Sequence, residues 1–311
     1  MSKGRLNTVL VTGGAGFIGS NLVDELISLG HKVVVIDNES AESSPQFYWN
    51  DSAENYKVDI MDYDTINYIF SLHAPKCVFH LAAESKVQPS IDNPLNACRV
   101  NFLGTCNVLQ CCRENDVNRI VYSSTSSAYG LRNDPPLTEN MHRDCLSPYS
   151  VSKVAAEDLV KMYHALYGLN CVIFRYFNIY GERQPVRGQY APVIGIFKRQ
   201  IAAGELMTIV GDGEQTRDFT HVKDVVQANV LAMNSEEESI IGEIFNIGTG
   251  RSYSILEISK LIGGTKNLAS THIPQREGEV KSSFADISKA TSMLGYKPKV
   301  ILEEWIESWA S

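Results

Sequence analysis

The segment that decides the fold of this chain is Thr8-Val9-Leu10-Val11-Thr12-Gly13-Gly14-Ala15-Gly16-Phe17-Ile18-Gly19. Its first residues, 8–11, form a short apolar run that is typical of a buried parallel strand. The run leads directly into a glycine-rich turn, after which a helical pattern of apolar residues extends from Leu22 to Ile27. Strand, glycine turn and helix in this order are the context that a dinucleotide-binding fingerprint requires. The segment therefore predicts a Rossmann-type domain.

The glycines of this turn follow a G-x-x-G-x-x-G spacing rather than G-x-G-x-x-G, and each has a separate predicted task. Gly13 permits the tight turn, Gly16 lets the backbone approach a pyrophosphate, and Gly19 allows the helix to pack on the strand. The first helical residues, Phe17 and Ile18, offer backbone N–H groups and the helix dipole to phosphates. A glycine-rich turn without a ligand is the alternative interpretation.

An acidic residue ends the second apolar run. Lys32–Ile36 reads as a strand, and Asp37-Asn38 follows it, about 20 residues beyond the glycines. A carboxylate at this place can accept hydrogen bonds from both ribose hydroxyls of an adenosine. The same carboxylate would repel a 2′-phosphate, and no arginine stands beside it. The pattern favours NAD over NADP, although an aspartate in a turn after a strand is the plainer alternative.

Tyr149 and Lys153 lie four residues apart in Pro-Tyr-Ser-Val-Ser-Lys (148–153). On a helix this spacing places both side chains on one face. A phenol is a poor base at neutral pH, but a nearby cation lowers its pKa by roughly 1–3 units. The pair therefore predicts a general base or acid for a sugar hydroxyl or carbonyl.

Strands and helices alternate through the first half of the chain, and this predicts an α/β fold with a doubly wound parallel sheet. Asp37, Ala83, Thr125 and Asn178 each come at or just after a predicted strand end, where such sheets bind ligands. We expect a Rossmann domain at residues 1–178 and a smaller substrate domain at 179–311. The two are expected to interleave, with about 218–248 returning to the first lobe.

Composition bounds the class of protein. The chain has 311 residues, 44% of them hydrophobic, and a formal net charge of −8, so nucleic acid and anionic membranes are not expected partners. No run approaches the length of a membrane span, and the N-terminus does not resemble a signal peptide. The seven cysteines show no metal-type spacing, so no metal site is predicted. A cytoplasmic enzyme is expected.

The motifs together resemble a known family, the extended short-chain dehydrogenases/reductases that act on nucleotide sugars, and specifically the NAD-dependent UDP-hexose 4-epimerases. The resemblance runs from about residue 7 to residue 300 and rests on residues 11–19, 36–38, 80–83, 148–153, 175–178, 211–219 and 276–279. Residues 183–194 and 284–290 resemble the bacterial UDP-N-acetylglucosamine 4-epimerase branch.

The resemblance implies roles for individual residues. Thr125 would hold the sugar O4, Tyr149 would be the base, and Lys153 would be its electrostatic partner. Cofactor contacts would come from Gly13, Gly16, Phe17, Ile18, Gly19, Asp37, Asn38, Asp59, Ile60, Ala82, Ala83, Asn101, Tyr149, Lys153 and Tyr176. Substrate contacts would come from Ser126, Ser127, Asn178, Arg217, Arg276, Glu279 and Ser283.

The implied reaction is C4 epimerisation through a 4-keto sugar, most of all of UDP-GlcNAc/UDP-GalNAc and also of UDP-Glc/UDP-Gal. Ser283 falls where relatives restricted to glucose and galactose carry a tyrosine, so its small side chain would leave room for an N-acetyl group. The family also implies a homodimer, formed through two helices at about residues 96–115 and 150–167.

Three alternatives stay open. Nucleotide-sugar 4,6-dehydratases carry Thr-Asp-Glu where this chain has Thr125-Ser126-Ser127, yet residues 81–85 are dehydratase-like. A UDP-glucuronate 4-epimerase also lacks that acid pair, and Arg183 or Arg187 could meet the carboxylate. A non-catalytic, NAD-binding sensor on the same fold would be expected to have lost the catalytic set.

Overall fold

The structure is a computed structural model that describes residues 7–41, 46–186, 192–264, 270–275 and 280–310. Its strands, as far as these residues go, are β1 Thr8–Thr12, β2 Lys32–Asp37, β3 Glu54–Lys57, β4 Cys77–His80, β5 Arg119–Thr125, β6 Asn170–Tyr176, β7 Ile179–Tyr180, β8 Met207–Val210, β9 Thr216–Arg217, β10 Thr220–His221, β11 Ile244–Ile247, β12 Tyr253–Ser254, β13 Ser270–Ile273 and β14 Ser282–Ser283.

The helices are α1 Phe17–Ser28, α2 Tyr63–His73, α3 Val87–Asp92, α4 Pro94–Cys98, α5 Thr105–Glu114, α6 Pro148–Tyr167, α7 Val193–Ala202, α8 Val222–Asn234, α9 Ile255–Gly263, α10 Ser288–Leu294 and α11 Leu302–Ala310. A π-helical turn, Arg99–Gly104, joins α4 to α5. Short 3₁₀ turns follow at Ser126–Ala128 and Glu238–Ile240.

One sheet organises the first lobe. Its strand order is β11-β6-β5-β4-β1-β2-β3, and every pair in it is parallel. The order reverses between β1 and β4, so the connections leave these two neighbours in opposite directions and open a crevice at their carboxyl ends. The predicted fold class, a doubly wound Rossmann sheet, is confirmed.

Both faces of this sheet are covered, as the apolar strand sequences require. Side chains alternate along β1, so Val9 and Val11 pack into a core with α1 and α8, while Leu10 packs into another with α2, α5 and α6. Both cores are closed to solvent, and they fix the strand ends that carry the crevice.

A third, smaller core lies in the part of the chain after β6. It joins α7, β8, α9 and α11 through residues such as Phe197, Ile209, Ile258 and Ile306. Strand β11 comes from this half of the chain but pairs with β6 at the edge of the large sheet. The domain boundary at residue 178 stays a prediction.

Strand β3 lacks the apolar run by which the other strands of the large sheet could be predicted. It reads Glu-Asn-Tyr-Lys and lies at the sheet edge with largely exposed side chains.

In the part of the chain that the structure describes, no helix has the length and apolarity needed to cross a bilayer.

Candidate active site

Two adjoining cavities lie at the carboxyl ends of the sheet strands. The first, of about 400 Å³, extends from the glycine turn past Asp37 to Thr125 and Tyr149. The second, of about 600 Å³, runs from the same region toward Arg217 and Ser283. The described residues that line both are Ser85, Lys86, Val87, Ser126, Ser127, Asn178, Ile179 and Pro192. This shared set, hereafter the junction, connects a cofactor-sized space with a substrate-sized one.

The glycine turn forms one wall of the first cavity and has room only for glycine at two positions. Gly13 has a φ of +69°, and a Cβ there would lie 2.7 Å from the Ala82 nitrogen. A Cβ on Gly19 would lie 2.1 Å from the Gly13 carbonyl oxygen. A Cβ on Gly16 would lie 3.3 Å from the Gly13 carbonyl oxygen, and Gly16 itself lines the cavity.

The start of helix α1 supplies unpaired donors to the cavity. Gly16 occupies the N-cap position without a side-chain cap, and the first turn contains no acidic residue. Phe17, Ile18 and Gly19, which begin the helix, line the cavity. Free N–H groups and the positive end of the helix dipole fit a diphosphate.

Asp37 ends strand β2 with its carboxylate held in place. Its Oδ2 accepts a hydrogen bond from the Ala15 N–H at 3.1 Å, and its Oδ1 accepts one from the Glu39 N–H at 2.8 Å. Burial raises the pKa of Asp37, and these backbone donors oppose the rise. The carboxylate lines the cavity, where a second lone pair on each oxygen can accept a ribose hydroxyl.

The outer end of the first cavity carries Asn38, Asp59 and Ile60. The Asn38 side-chain amide donates to Asp59 Oδ2 at 3.0 Å, and Asp59 Oδ1 accepts from the Met61 N–H at 2.9 Å. The buried Ile60 side chain adds an apolar surface. An apolar side chain flanked by polar groups suits an adenine ring.

Helix α6 positions Tyr149 in its first turn. Ser147 and Ser150 form a capping box, and Pro148 stands at a position where a missing N–H costs nothing. The Tyr149 N–H donates to Ser90 Oγ at 3.0 Å. These contacts fix the entry of the helix, so the phenol faces the wall formed by the end of β5.

The Tyr149 phenol lies next to the side chain of Thr125, the last residue of β5, and both line the first cavity. Burial raises the pKa of Tyr149, the neighbouring Thr125 side chain opposes the rise, and the charge of Glu84 adds to it. The lowered pKa expected from the sequence is therefore not found, because desolvation of the phenolate outweighs its stabilisation. A cation brought against the phenol would reverse this balance.

Lys153 lies one turn further along α6, 3% exposed, with its ammonium 4.4 Å from the centroid of the Tyr122 ring. Burial lowers the pKa of Lys153 to about 7, and the charge of Glu157 opposes this effect. With a pKa of about 7, Lys153 changes between its ammonium and its neutral amine near neutral pH. Lys153 does not line either cavity, so it is placed behind Tyr149 rather than at the cavity surface.

Glu157 was missed by the sequence analysis. Its fully buried carboxylate pairs with Arg175, with N–O distances of 2.9 and 2.7 Å, and accepts a hydrogen bond from Ser124. The i, i+4 spacing from Lys153 on one helix face was the signal that could have found it. The pair anchors α6 to β5 and β6 directly beneath the catalytic candidates.

Asn101 is the other predicted cofactor residue that lies outside the cavity walls. It is fully buried in the π-helical turn, and its side-chain amide both accepts a hydrogen bond from the loop after β4 and donates one to it. Its Oδ1 accepts from the Glu84 N–H at 2.8 Å, and its Nδ2 donates to the Glu84 carbonyl and to Ser152 Oγ, each at 3.0 Å. Asn101 therefore supports the loop and helix α6 together.

The cofactor residues predicted on the loop after β4 and on β6 line the first cavity. They are Ala82, Ala83 and Tyr176. The Tyr176 hydroxyl is held by Ser123 and Asn229. These contacts keep the floor of the cavity in one arrangement.

The second cavity gathers five of the predicted substrate residues: Ser126, Ser127, Asn178, Arg217 and Ser283. Arg217 on β9 and Ser283 on β14 are register partners in a three-stranded sheet. The Arg217 guanidinium donates to the Thr216 carbonyl at 2.8 Å. Arg276 and Glu279 lie outside the described residues.

The arginine proposed to meet a glucuronate carboxylate has other contacts. Arg183 pairs with Asp24 at 2.6 Å and stacks on the Tyr48 ring at 4.9 Å from its centroid. It lines neither cavity. Arg187, the other candidate, lies outside the described residues.

Comparison with known proteins gives the family. A family profile described as GDP-mannose 4,6 dehydratase matches residues 10–309. The chain belongs to this family, which confirms the predicted membership of the extended short-chain dehydrogenases/reductases. A putative UDP-glucose 4-epimerase of Methanocaldococcus jannaschii is 41% identical over 303 residues, which cover 96% of each chain.

Comparison with solved structures leads to the same family. A UDP-N-acetylglucosamine 4-epimerase from Methanobrevibacter ruminantium, in complex with UDP-N-acetylmuramic acid, has a TM-score of 0.90 and 34% identity over 98% of this chain and 97% of that one. The Thermus thermophilus UDP-glucose 4-epimerase, in complex with NAD, has a TM-score of 0.88 and 32% identity over 97% of both. The glycine turn and the Asp37 carboxylate fit the same cofactor, and the prediction of NAD is confirmed.

Proposed function

We propose that this chain is an NAD-dependent UDP-sugar 4-epimerase that acts on UDP-N-acetylglucosamine and UDP-N-acetylgalactosamine in preference to UDP-glucose and UDP-galactose, which are further substrates. The observation that carries the proposal is that Thr125 and Tyr149 lie side by side where the dinucleotide cavity meets the cavity lined by Arg217. A proton acceptor at this point faces a hydride acceptor on one side and a nucleotide sugar on the other.

The proton chemistry falls to three residues. Thr125 orients the Tyr149 hydroxyl and the sugar O4, and Tyr149 accepts the O4 proton and later returns it. NAD, when bound, supplies a reversible acceptor for the C4 hydride. The buried Lys153, with its pKa near 7, contributes positive charge behind the phenol. The sugar loses and regains one proton and one hydride, so the net redox change is zero.

Inversion requires the 4-keto sugar to present its other face before the hydride returns. Firm contacts to the diphosphate and loose contacts to the ring allow this rotation. Arg217 suits the first task, since a guanidinium pairs bidentately with phosphate oxygens. Ser126 and Ser127 suit the second, because short hydroxyl side chains at the junction leave the ring room to turn.

Ser283 supports the choice of acetamido sugars. Its side chain is small, lines the second cavity and lies beside Arg217 in the same sheet. A bulky side chain at this register would enter the space next to the diphosphate end of the sugar. With serine there, the C2 substituent can be as large as an N-acetyl group.

Product analysis tests the reaction class. The purified protein is incubated separately with UDP-GlcNAc, UDP-Glc and dTDP-Glc, and the products are identified by chromatography and mass spectrometry. We expect the 4-epimer of the UDP sugars with unchanged mass. Loss of water would show a 4,6-dehydratase instead, and the absence of any product would favour the sensor.

A homodimer forms a further part of the proposal. Helices α4 and α6 and the π-helical turn after α4 carry large apolar side chains on their exposed surface: Leu95, Phe102, Leu103, Val151 and Leu166. Leu95 and Leu166 are 82% and 67% exposed. Two such surfaces packed as a four-helix bundle would remove them from water. Light scattering that gives the mass of a monomer at micromolar concentration would refute this association.

A further inference from the structure

Lys86 is a cation at the junction that the proposed reaction does not use. It lies in the loop between β4 and α3, next to Val87, and lines both cavities. Arg217 lines only the second cavity, at the end away from the Thr125–Tyr149 pair. The two cations therefore serve different subsites, and Lys86 is on the side where the reacting sugar must lie.

Lys86 is half-buried and has no ionic partner among the described residues. Burial lowers the pKa of Lys86, and the charge of Glu84 opposes the shift without forming an ion pair. An ammonium withdrawn from water costs free energy unless an anion compensates it. An anionic ligand group at the junction would supply that compensation.

The second cavity has a one-sided charge. Among its described lining residues, the only ionisable side chains that are charged at neutral pH are Lys86 and Arg217, and none is acidic. The acids of the first cavity, Asp37 and Asp59, lie at its adenosine end. A ligand that fills the second cavity thus meets one positive charge at its diphosphate and another beside its sugar.

The position of Lys86 identifies which part of the sugar it would meet. The Thr125–Tyr149 pair engages O4, and C6 is bonded to C5, the neighbour of the reacting C4. A carboxylate at C6 therefore lies within a few ångströms of the junction. Arg183, the alternative partner for a uronate, is paired with Asp24 instead.

We propose that Lys86 is a specificity-determining residue that pairs with a carboxylate at C6 of the sugar, so that the preferred substrate is a UDP-linked 2-acetamido uronic acid. The inference rests on the proposed 4-epimerase function and deepens it. Ser283 accommodates the acetamido group, and Lys86 adds recognition of the acid. The neutral UDP-GlcNAc remains a substrate that lacks this second contact.

The test compares two substrates that differ only at C6. The kcat/KM for 4-epimerisation is measured with UDP-GlcNAc and with its C6 acid, UDP-N-acetylglucosaminuronate, using the full chain with its bound NAD. We expect the parent to prefer the acid and Lys86→Met to lower the acid-to-neutral ratio about 10- to 100-fold. Lys86→Arg should keep most of the ratio, since it retains the charge.

Controls separate this role from others. Lys297→Met removes an exposed lysine that lines neither cavity, and the ratio should not change. NAD content is measured for each variant, because a lysine that served the cofactor would lose NAD and slow both substrates equally. Either that result, or an unchanged ratio in Lys86→Met, would overturn the assignment.

Measurements on the parent enzyme alone distinguish a failure of the role given to Lys86 from a failure of the 4-epimerase function. Epimerisation of UDP-GlcNAc together with rejection of the acid would refute the role of Lys86 and leave the 4-epimerase function standing. Failure to epimerise either substrate would refute the underlying function.

Discussion

The two halves of the active-site cleft are built by different means. The cofactor half is made mostly from backbone: a glycine turn, a helix N-terminus and the ends of long parallel strands. The sugar half is made from side chains on two-residue strands and loops, including Arg217 and Ser283. A backbone site recognises the part common to the family, and a few side chains can then decide which sugar is accepted. Substitutions in the two halves should therefore have separable effects.

The largest effect is expected at the junction itself. Tyr149→Phe removes the proton acceptor but leaves both halves of the cleft intact, so the epimerisation rate should fall about 10³-fold. NAD content and thermal stability should stay near those of the parent. Tyr68→Phe, at an exposed position on α2, is the matched control and should retain full activity. Comparable activity in Tyr149→Phe would mean that the proton goes elsewhere.

Next in size is the buried ion pair beneath the cofactor half. Glu157→Gln leaves Arg175 buried without a carboxylate, which should lower the free energy of unfolding by about 3–5 kcal/mol. Asp158→Asn breaks only an exposed pair with Arg143 and should cost less than about 1 kcal/mol. Denaturant unfolding of both variants gives the comparison.

The same Glu157→Gln variant carries a pH signature. The Glu157 charge raises the pKa of Lys153 against the effect of burial, so its removal should lower that pKa further below about 7. A group with a lowered pKa loses its proton at lower pH, and activity that needs the Lys153 ammonium should then decline at lower pH than in the parent. An alkaline limb that does not move in the pH profile of kcat/KM would contradict the role given to Lys153.

Within the cofactor half, Gly19→Ala should lower NAD content and stability without changing sugar preference. The new Cβ would lie 2.1 Å from the Gly13 carbonyl oxygen, and the displaced turn should cost about 2–3 kcal/mol. Gly168→Ala is the control: its φ of +69° strains the backbone, but the new Cβ meets nothing within 4 Å, so this variant should lose stability and retain NAD. Full NAD content in Gly19→Ala would show that the turn is not the cofactor cradle.

The smallest effect belongs to the sugar half. Ser283→Tyr should lower kcat/KM for UDP-GlcNAc about 10- to 100-fold through steric exclusion and largely spare UDP-galactose. NAD content should not change, since Ser283 lines only the second cavity. Equal loss on both substrates would remove the evidence that this position sets substrate size.

Prediction from sequence followed the same division. The glycine turn, Asp37 and the strand ends could be placed because local pattern fixes a parallel sheet, and the sheet brings strand ends to one edge. Arg217 and Ser283 rested on resemblance alone, since their two-residue strands have no periodicity. Glu157 and Lys86 were missed because a charged residue on a helix or loop looks solvated until tertiary packing encloses it.

Isotope tracing tests the central claim most directly. UDP-GlcNAc labelled with deuterium at C4 is converted in ordinary water, and the deuterium content of the UDP-GalNAc formed is measured by mass spectrometry. If the hydride leaves C4 and returns to C4 within one closed site, the product should keep essentially all of the label. Replacement of the label by solvent hydrogen would show that C4 exchanges a proton instead, and would contradict the account.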